Sequence, residues 1–183
     1  MRLVQGSMSQ LEAYHRPTAE HCKRVGILAV RIGQYAELPL KPLFYGASLH
    51  DRGKLKVTRA LLDKTGEWTA EDAQALRDHP SDGYEETLNE GMVVTAGLIV
   101  RHHSFQPNAY PEQLPDAPPY MAGSFEQCAR MIALADYYDA AHRPNSAGLS
   151  TEEEIKAKLL AHQADMNELV NALYEEGILG TPR

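Results

Sequence analysis

His50-Asp51-Arg52-Gly53-Lys54-Leu55 sets an imidazole beside a carboxylate, with an ammonium one helical turn further on. Such a pair alone says little, because it also arises by chance. Its neighbours along the chain change that. His21 lies upstream, His79 and the adjacent His102-His103 lie downstream, and Asp136 closes the apolar run Ala133-Leu134-Ala135-Asp136. A carboxylate on so apolar a segment needs positive charge to face, since burying a lone carboxylate is costly. Imidazole suits iron, manganese and zinc, whereas carboxylate oxygen suits harder ions and can bridge two of them. A bridging Asp51 would hold two cations about 3.5–4 Å apart, the spacing that activates a water and clamps a phosphoryl group. Adjacent helical side chains point about 100° apart, so His102 and His103 can share an ion only near a helix end or in a crowded site.

Around these residues the pattern is helical. Val25, Leu28, Ala29, Ile32 and Ala36 recur at helical spacing and predict a helix over residues 17–38. Pro39 and Pro42 break it, and a second helix follows over 42–50, with Leu43, Phe44, Ala47 and Leu49 as core candidates. Leu61-Leu62 opens a short segment that ends at Lys64-Thr65-Gly66. Thr69 is a good N-cap, with Asp72 three residues on, for a helix running to Asp78. Another follows His79-Pro80 through Tyr84 and Leu88. Residues 93–103 read as a buried helix, although their β-branched side chains also suit a strand. Residues 125–141 and 151–176 complete an all-α reading. The last segment carries Ile155, Leu159, Leu160, Met166, Leu169, Val170 and Leu173, an amphipathic stripe that packs on the domain or forms a homodimer contact.

Residues 107–119 hold Pro107, Pro111, Pro115, Pro118 and Pro119, five of the eleven prolines. They cannot form regular helix. This stiff excursion follows the histidine pair directly, as a surface crossover or as a substrate-facing lid. Trp68 reads as a packing residue, and Cys22 and Cys128 as buried structural thiols.

The bulk properties narrow the function. A chain of 183 residues fits one domain spanning 1–183. A net charge of −7 at neutral pH argues against binding long nucleic acid. It leaves room for a small anionic substrate, because bound divalent metals reverse the local sign. Two cysteines without CxxC spacing suggest neither a zinc ribbon nor a disulfide scaffold, and point to a reducing cytoplasm. There is no signal-peptide pattern near the start. The longest mostly apolar run, 92–100, is about half a membrane span, so no membrane contact is expected.

Together the motifs resemble a family. His21-Cys22-Lys23-Arg24-Val25 resembles the first-helix histidine motif of HD phosphohydrolases, and His50-Asp51-Arg52-Gly53-Lys54 resembles their HD-x-G-K signature. Within that superfamily the chain is most similar to the HD-GYP branch, which cuts cyclic dinucleotides. Leu61-Leu62-Asp63-Lys64-Thr65-Gly66-Glu67-Trp68-Thr69, His79-Pro80-Ser81-Asp82-Gly83, the pair His102-His103, Tyr110-Pro111 and Ala135-Asp136 each look like one of its blocks, over roughly residues 15–145. The resemblance implies an all-α HD-domain helical bundle around a two-metal site, with iron or manganese as the divalent ions. It implies that His21, His50, Asp51 and Asp136 hold one metal, and Asp51, His79, His102 and His103 the second. Asp51 and Lys54 would be catalytic, with Lys54, Tyr110 and Arg143 on the substrate. The implied reaction is phosphodiester hydrolysis of cyclic di-GMP or a related nucleotide by a water activated between the metals.

The chain also departs from the branch. The GYP tripeptide reads Ala109-Tyr110-Pro111, the histidine pair leads into Ser104-Phe105-Gln106-Pro107-Asn108, and Pro144-Asn145-Ser146 lacks a second cation after Arg143. A glutamate that binds a third metal in some relatives is Pro17 here. Two other readings remain: a nucleotide-sensing signalling module with weak catalysis, and an HD-type di-iron oxygenase.

Overall fold

In the computed structural model, residues 2–121, 123–143, 148–162 and 164–180 are described. They form ten α-helices and three short 3-10 turns, with no strand among them. Arg2–Tyr14 (α1) comes first; sequence reading did not anticipate it. Its signal is sparse, with Val4 and Leu11 buried and Ser7 bonded back to the Leu3 carbonyl. His15 then caps Arg16–Tyr35 (α2) by accepting from the Thr18 N–H. A capping histidine is easily overlooked, since Ser, Thr, Asp and Asn are the usual caps.

The core lies where α2 meets Leu40–Leu49 (α3) and Phe125–Ala141 (α8). Cys22, Val25, Ala29 and Ile32 from α2, Leu43 and Ala47 from α3, and Phe125, Ile132 and Leu134 from α8 are fully buried. Both cysteines are free and buried, as expected. Phe44 is not a core residue: it is 40% exposed on the outer face of α3.

Arg59–Leu62 (α4) and Ala70–Arg77 (α5) follow a 3-10 turn, Arg52–Lys56. Thr69 and Asp72 form a complete capping box on α5. His79–Asn89 (α6) leads to Val93–Ile99 (α7), which stops four residues before the expected end. Turns carry the chain from there through His103. The buried Arg101 bonds to the Gly97 carbonyl at 2.9 Å and to that of Pro115, so it ties the proline-rich loop to the end of α7.

The expected long C-terminal helix is two, Glu152–His162 (α9) and Asn167–Glu175 (α10), joined by a 3-10 turn at Ala164–Met166. A straight helix over that span would be roughly 39 Å long, against roughly 26 Å for α8. The break lets both halves bury Ile155, Leu159, Val170 and Leu173 in the same core as α8. Among the described residues no helix is long and apolar enough to cross a membrane.

Gly53 fixes the junction that matters most. A Cβ there would lie 1.9 Å from the His79 carbonyl oxygen and 2.6 Å from the Gly83 nitrogen, both backbone atoms that cannot rotate away. Without a side chain, the turn after Asp51 sits directly on the first turn of α6 and brings His79 to it. Gly53→Ala should therefore destabilise the protein by about 2–3 kcal/mol, read as a lower midpoint in urea. It should also weaken metal uptake, because His79 is displaced from Asp51.

Candidate metal centre

Three of the histidines occupy helix ends. His50 follows α3, His79 follows α5 and begins α6, and His102 lies three residues past α7. In each, Nδ1 donates to the carbonyl three residues back: His50 to Ala47 at 2.7 Å, His79 to Leu76 at 2.5 Å, His102 to Ile99 at 2.6 Å. The last carbonyls of a helix lack intrahelical partners, so these bonds satisfy both groups. They also fix the tautomer. With Nδ1 bound to the carbonyl, Nε2 is the ring atom left to face a ligand, and in all three rings it points into the same space.

His21, on the second turn of α2, reaches that space by another route. Its Nδ1 lies 2.8 Å from Asp139 Oδ2, and its Nε2 is 2.9 Å from Asp136 Oδ1 and 3.2 Å from His50 Nε2. His79 Nε2 and His102 Nε2 are 3.1 Å apart. Lone pairs this close repel unless a proton or a metal ion lies between them. His21, His50 and Asp136 form one group that could hold a metal, and His79, His102 and His103 another, with ligand atoms in each within 4.8 Å of one another.

Asp51 lies between the two groups, with its side chain 2% exposed. Oδ1 is 3.3 Å from His79 Nε2 and 4.0 Å from His102 Nε2. Oδ2 is 3.6 Å from His50 Nε2, 3.8 Å from His21 Nε2 and 2.6 Å from Lys54 Nζ. Each oxygen thus serves one group. Burial opposes the charge on Asp51, but Lys54, His50 and His79 outweigh it and hold the carboxyl well below its usual range.

The histidine pair is neutral. Burial pushes His102 well below the usual imidazole value, and takes His103 down to about 3. His50 goes the other way: burial disfavours its charge, but Asp51, Cys22 and Asp136 raise it well above the usual value. A proton on His50 therefore stands in for a cation.

The other expected site residues fall nearby. Tyr110 stacks on His103, with ring centroids 4.6 Å apart, and the Arg77 guanidinium lies 4.5 Å from the Tyr110 ring centre. The proline-rich loop thus covers the second group. Arg143 and Lys54 line one cleft of about 410 Å³. The stretch Pro144-Asn145-Ser146 lies outside the described residues.

One residue escaped sequence reading. Asp139, 1% exposed, accepts from Arg24 Nε at 2.9 Å and Arg24 Nη2 at 3.0 Å while it holds His21 Nδ1. Carboxylates of this kind orient a metal-binding imidazole and raise its basicity. The available signal was spacing. Asp139 follows Asp136 by three residues on α8, and Arg24 follows His21 by three on α2.

The HD domain family profile matches residues 18–141, a span that contains all seven candidate ligands. The chain belongs to the HD domain family. This HD domain is 29% identical over 119 residues to the cyclic di-GMP phosphodiesterase response regulator RpfG of Xanthomonas campestris, covering 63% of this chain and 30% of that protein. It is 27% identical over 170 residues to the 3'3'-cGAMP-specific phosphodiesterase 2 of Vibrio cholerae, covering 88% of this chain and 31% of that protein. The chain thus spans about a third of the length of these curated relatives. Among solved structures, the HD domain of the L. monocytogenes phosphodiesterase PgpH in complex with cyclic-di-AMP superposes with a TM-score of 0.68. The match covers 97% of this chain and 99% of that one at 14% identity, which is a likeness of fold.

Two outcomes follow for metal binding. Asp139→Asn should lower affinity for Mn(II) about 10–100-fold, measured by competition with a chelator. Because a raised His50 pKa means that the metal must displace a proton, affinity should rise with pH through the neutral range. Calorimetry in buffers of different ionisation enthalpy should show proton release on loading.

Proposed function

We propose that this HD domain hydrolyses nucleotide phosphodiesters, with cyclic di-GMP or a related cyclic dinucleotide as substrate. The observation that carries the reading is Asp51, which offers one oxygen to each of two histidine groups. That donor set, imidazoles with shared carboxylate oxygen, suits two divalent ions such as iron or manganese. His21, His50, Asp51 and Asp136 would hold one, and Asp51, His79, His102 and His103 the other. When bound, such ions supply Lewis acidity and lower the pKa of a water. The names of the curated relatives, phosphodiesterases of cyclic dinucleotides, support the substrate class.

The chain's own groups have distinct tasks. Lys54, three residues after Asp51 and in contact with it, brings an ammonium to the edge of the cleft, where it can meet a phosphate oxygen. Arg143 adds a cation on the same wall. Tyr110 stacks on His103 and covers that face of the second histidine group. Both cysteines being free thiols is in keeping with a cytoplasmic setting.

The test is product formation by protein loaded anaerobically with Fe(II) or Mn(II), given cyclic di-GMP and bis-(4-nitrophenyl) phosphate in parallel. Both should be cleaved, and Asp51→Ala should abolish both activities. Lys54→Ala should lower kcat about 10²–10³-fold, the usual cost of removing one charge-stabilising donor. Cleavage of the generic ester alone would move the substrate to another nucleotide, and cleavage of neither would remove the hydrolase reading.

A further inference from the structure

Trp68 is the single tryptophan of the chain, and for a residue read as a packing one it leaves much of its ring uncovered, being 46% exposed. It stands in the loop between α4 and α5, and that loop is tied down. Lys64 pairs with Asp72. Asp72 also accepts from the Thr69 N–H at 2.8 Å and donates its own N–H to the Thr69 hydroxyl at 3.2 Å. Residues on both sides of the indole are therefore anchored to the first turn of α5. An exposed ring on an anchored loop is preorganised to receive something, since little entropy remains to be lost on contact.

The position of the ring says what. Trp68 lines the cleft that also holds Lys54 and Arg143. Lys54 marks its Asp51 end through the 2.6 Å ion pair. The cleft thus combines three cations, Lys54, Arg24 and Arg143, against one carboxylate, Glu20, with a flat apolar face. A nucleotide has the matching division, an anionic phosphate at one end and a planar base at the other. Bases stack on aromatic side chains whatever their identity, because every base has a π-face.

We propose that Trp68 is a stacking platform for a nucleobase, which makes it a specificity-determining residue: the cleft favours phosphate esters that carry a base over those that do not. It does not choose between guanine and adenine. The proposal rests on the phosphodiesterase reading for its reaction, but not for its binding.

A single tryptophan makes intrinsic fluorescence a report on this residue alone. The metal-loaded full chain is titrated with GMP and, in parallel, with ribose 5-phosphate, with N-acetyltryptophanamide correcting for light absorbed by the base. GMP should quench the emission saturably, and ribose 5-phosphate should change it little. Trp68→Ala should raise KM for cyclic di-GMP about tenfold or more with kcat changed less than about twofold, and Trp68→Phe should recover most of the loss. Equal responses to the two ligands, or an unchanged KM in a folded Trp68→Ala protein, overturns the platform. Cleavage of bis-(4-nitrophenyl) phosphate by the wild type tests the reaction separately. Base-dependent quenching without any cleavage keeps the platform and removes the reaction; cleavage without base-dependent quenching does the reverse.

Discussion

The Asp51 carboxylate is the group around which the molecule is arranged. It is buried and ionised, and such a group persists only with opposite charge on all its free sides. Lys54 supplies some of that charge at 2.6 Å. The rest must come from His50 and from the space shared with the Nε2 atoms of His21, His79 and His102. Residues that are not themselves ligands also serve this arrangement. Gly53 has no side chain because the backbone of α6 occupies its place. Arg24 neutralises Asp139 so that Asp139 can hold His21.

The helix ends give the site its rigidity. A histidine in mid-helix can turn about two side-chain bonds, but one whose Nδ1–H is tied to a carbonyl three residues back cannot. Three of the candidate ligands are fixed in this way. The same bonds give a side-chain donor to carbonyls in the last turns of α3, α5 and α7, where intrahelical partners run out. The partial negative charge at helix C-termini also favours a cation in front of them. Helix termination and ligand placement are thus one structural event, and α7 stopping at Ile99 rather than continuing through His103 is part of it. Continuous helix would have pointed His102 and His103 about 100° apart.

Much of this was legible in the sequence. The α8 boundaries, the capping box at Thr69 and the assembly of His21, His50, Asp51, His79, His102, His103 and Asp136 follow from spacing, cap chemistry and family likeness. What escaped did so for physical reasons. α1 buries a narrow stripe and contains Gly6, so its pattern is faint. The break between α9 and α10 depends on the length of α8, which no local pattern in residues 151–176 encodes. Asp139 lies on a face decided by how α2 meets α8. Trp68 read as a packing residue because a large ring usually is, and only its loop puts it in the cleft.

The distribution of charge separates two jobs. The centre of the site is acidic: Asp51 and Asp136 both hold their carboxyls well below the usual range despite burial, and Asp139 stands behind them. Beside it, Lys54, Arg24 and Arg143 line the cleft against a single carboxylate, Glu20. A phosphodiester approaching the bare centre meets like charge, and the chain carries −7 overall. Two divalent ions would reverse the sign at the centre and leave the rim to orient what they attract. Substrate affinity as well as chemistry should then depend on the metals. An arrangement with the positive side chains at the centre would bind the anion without metal, but it would leave no carboxylate there to hold the ions.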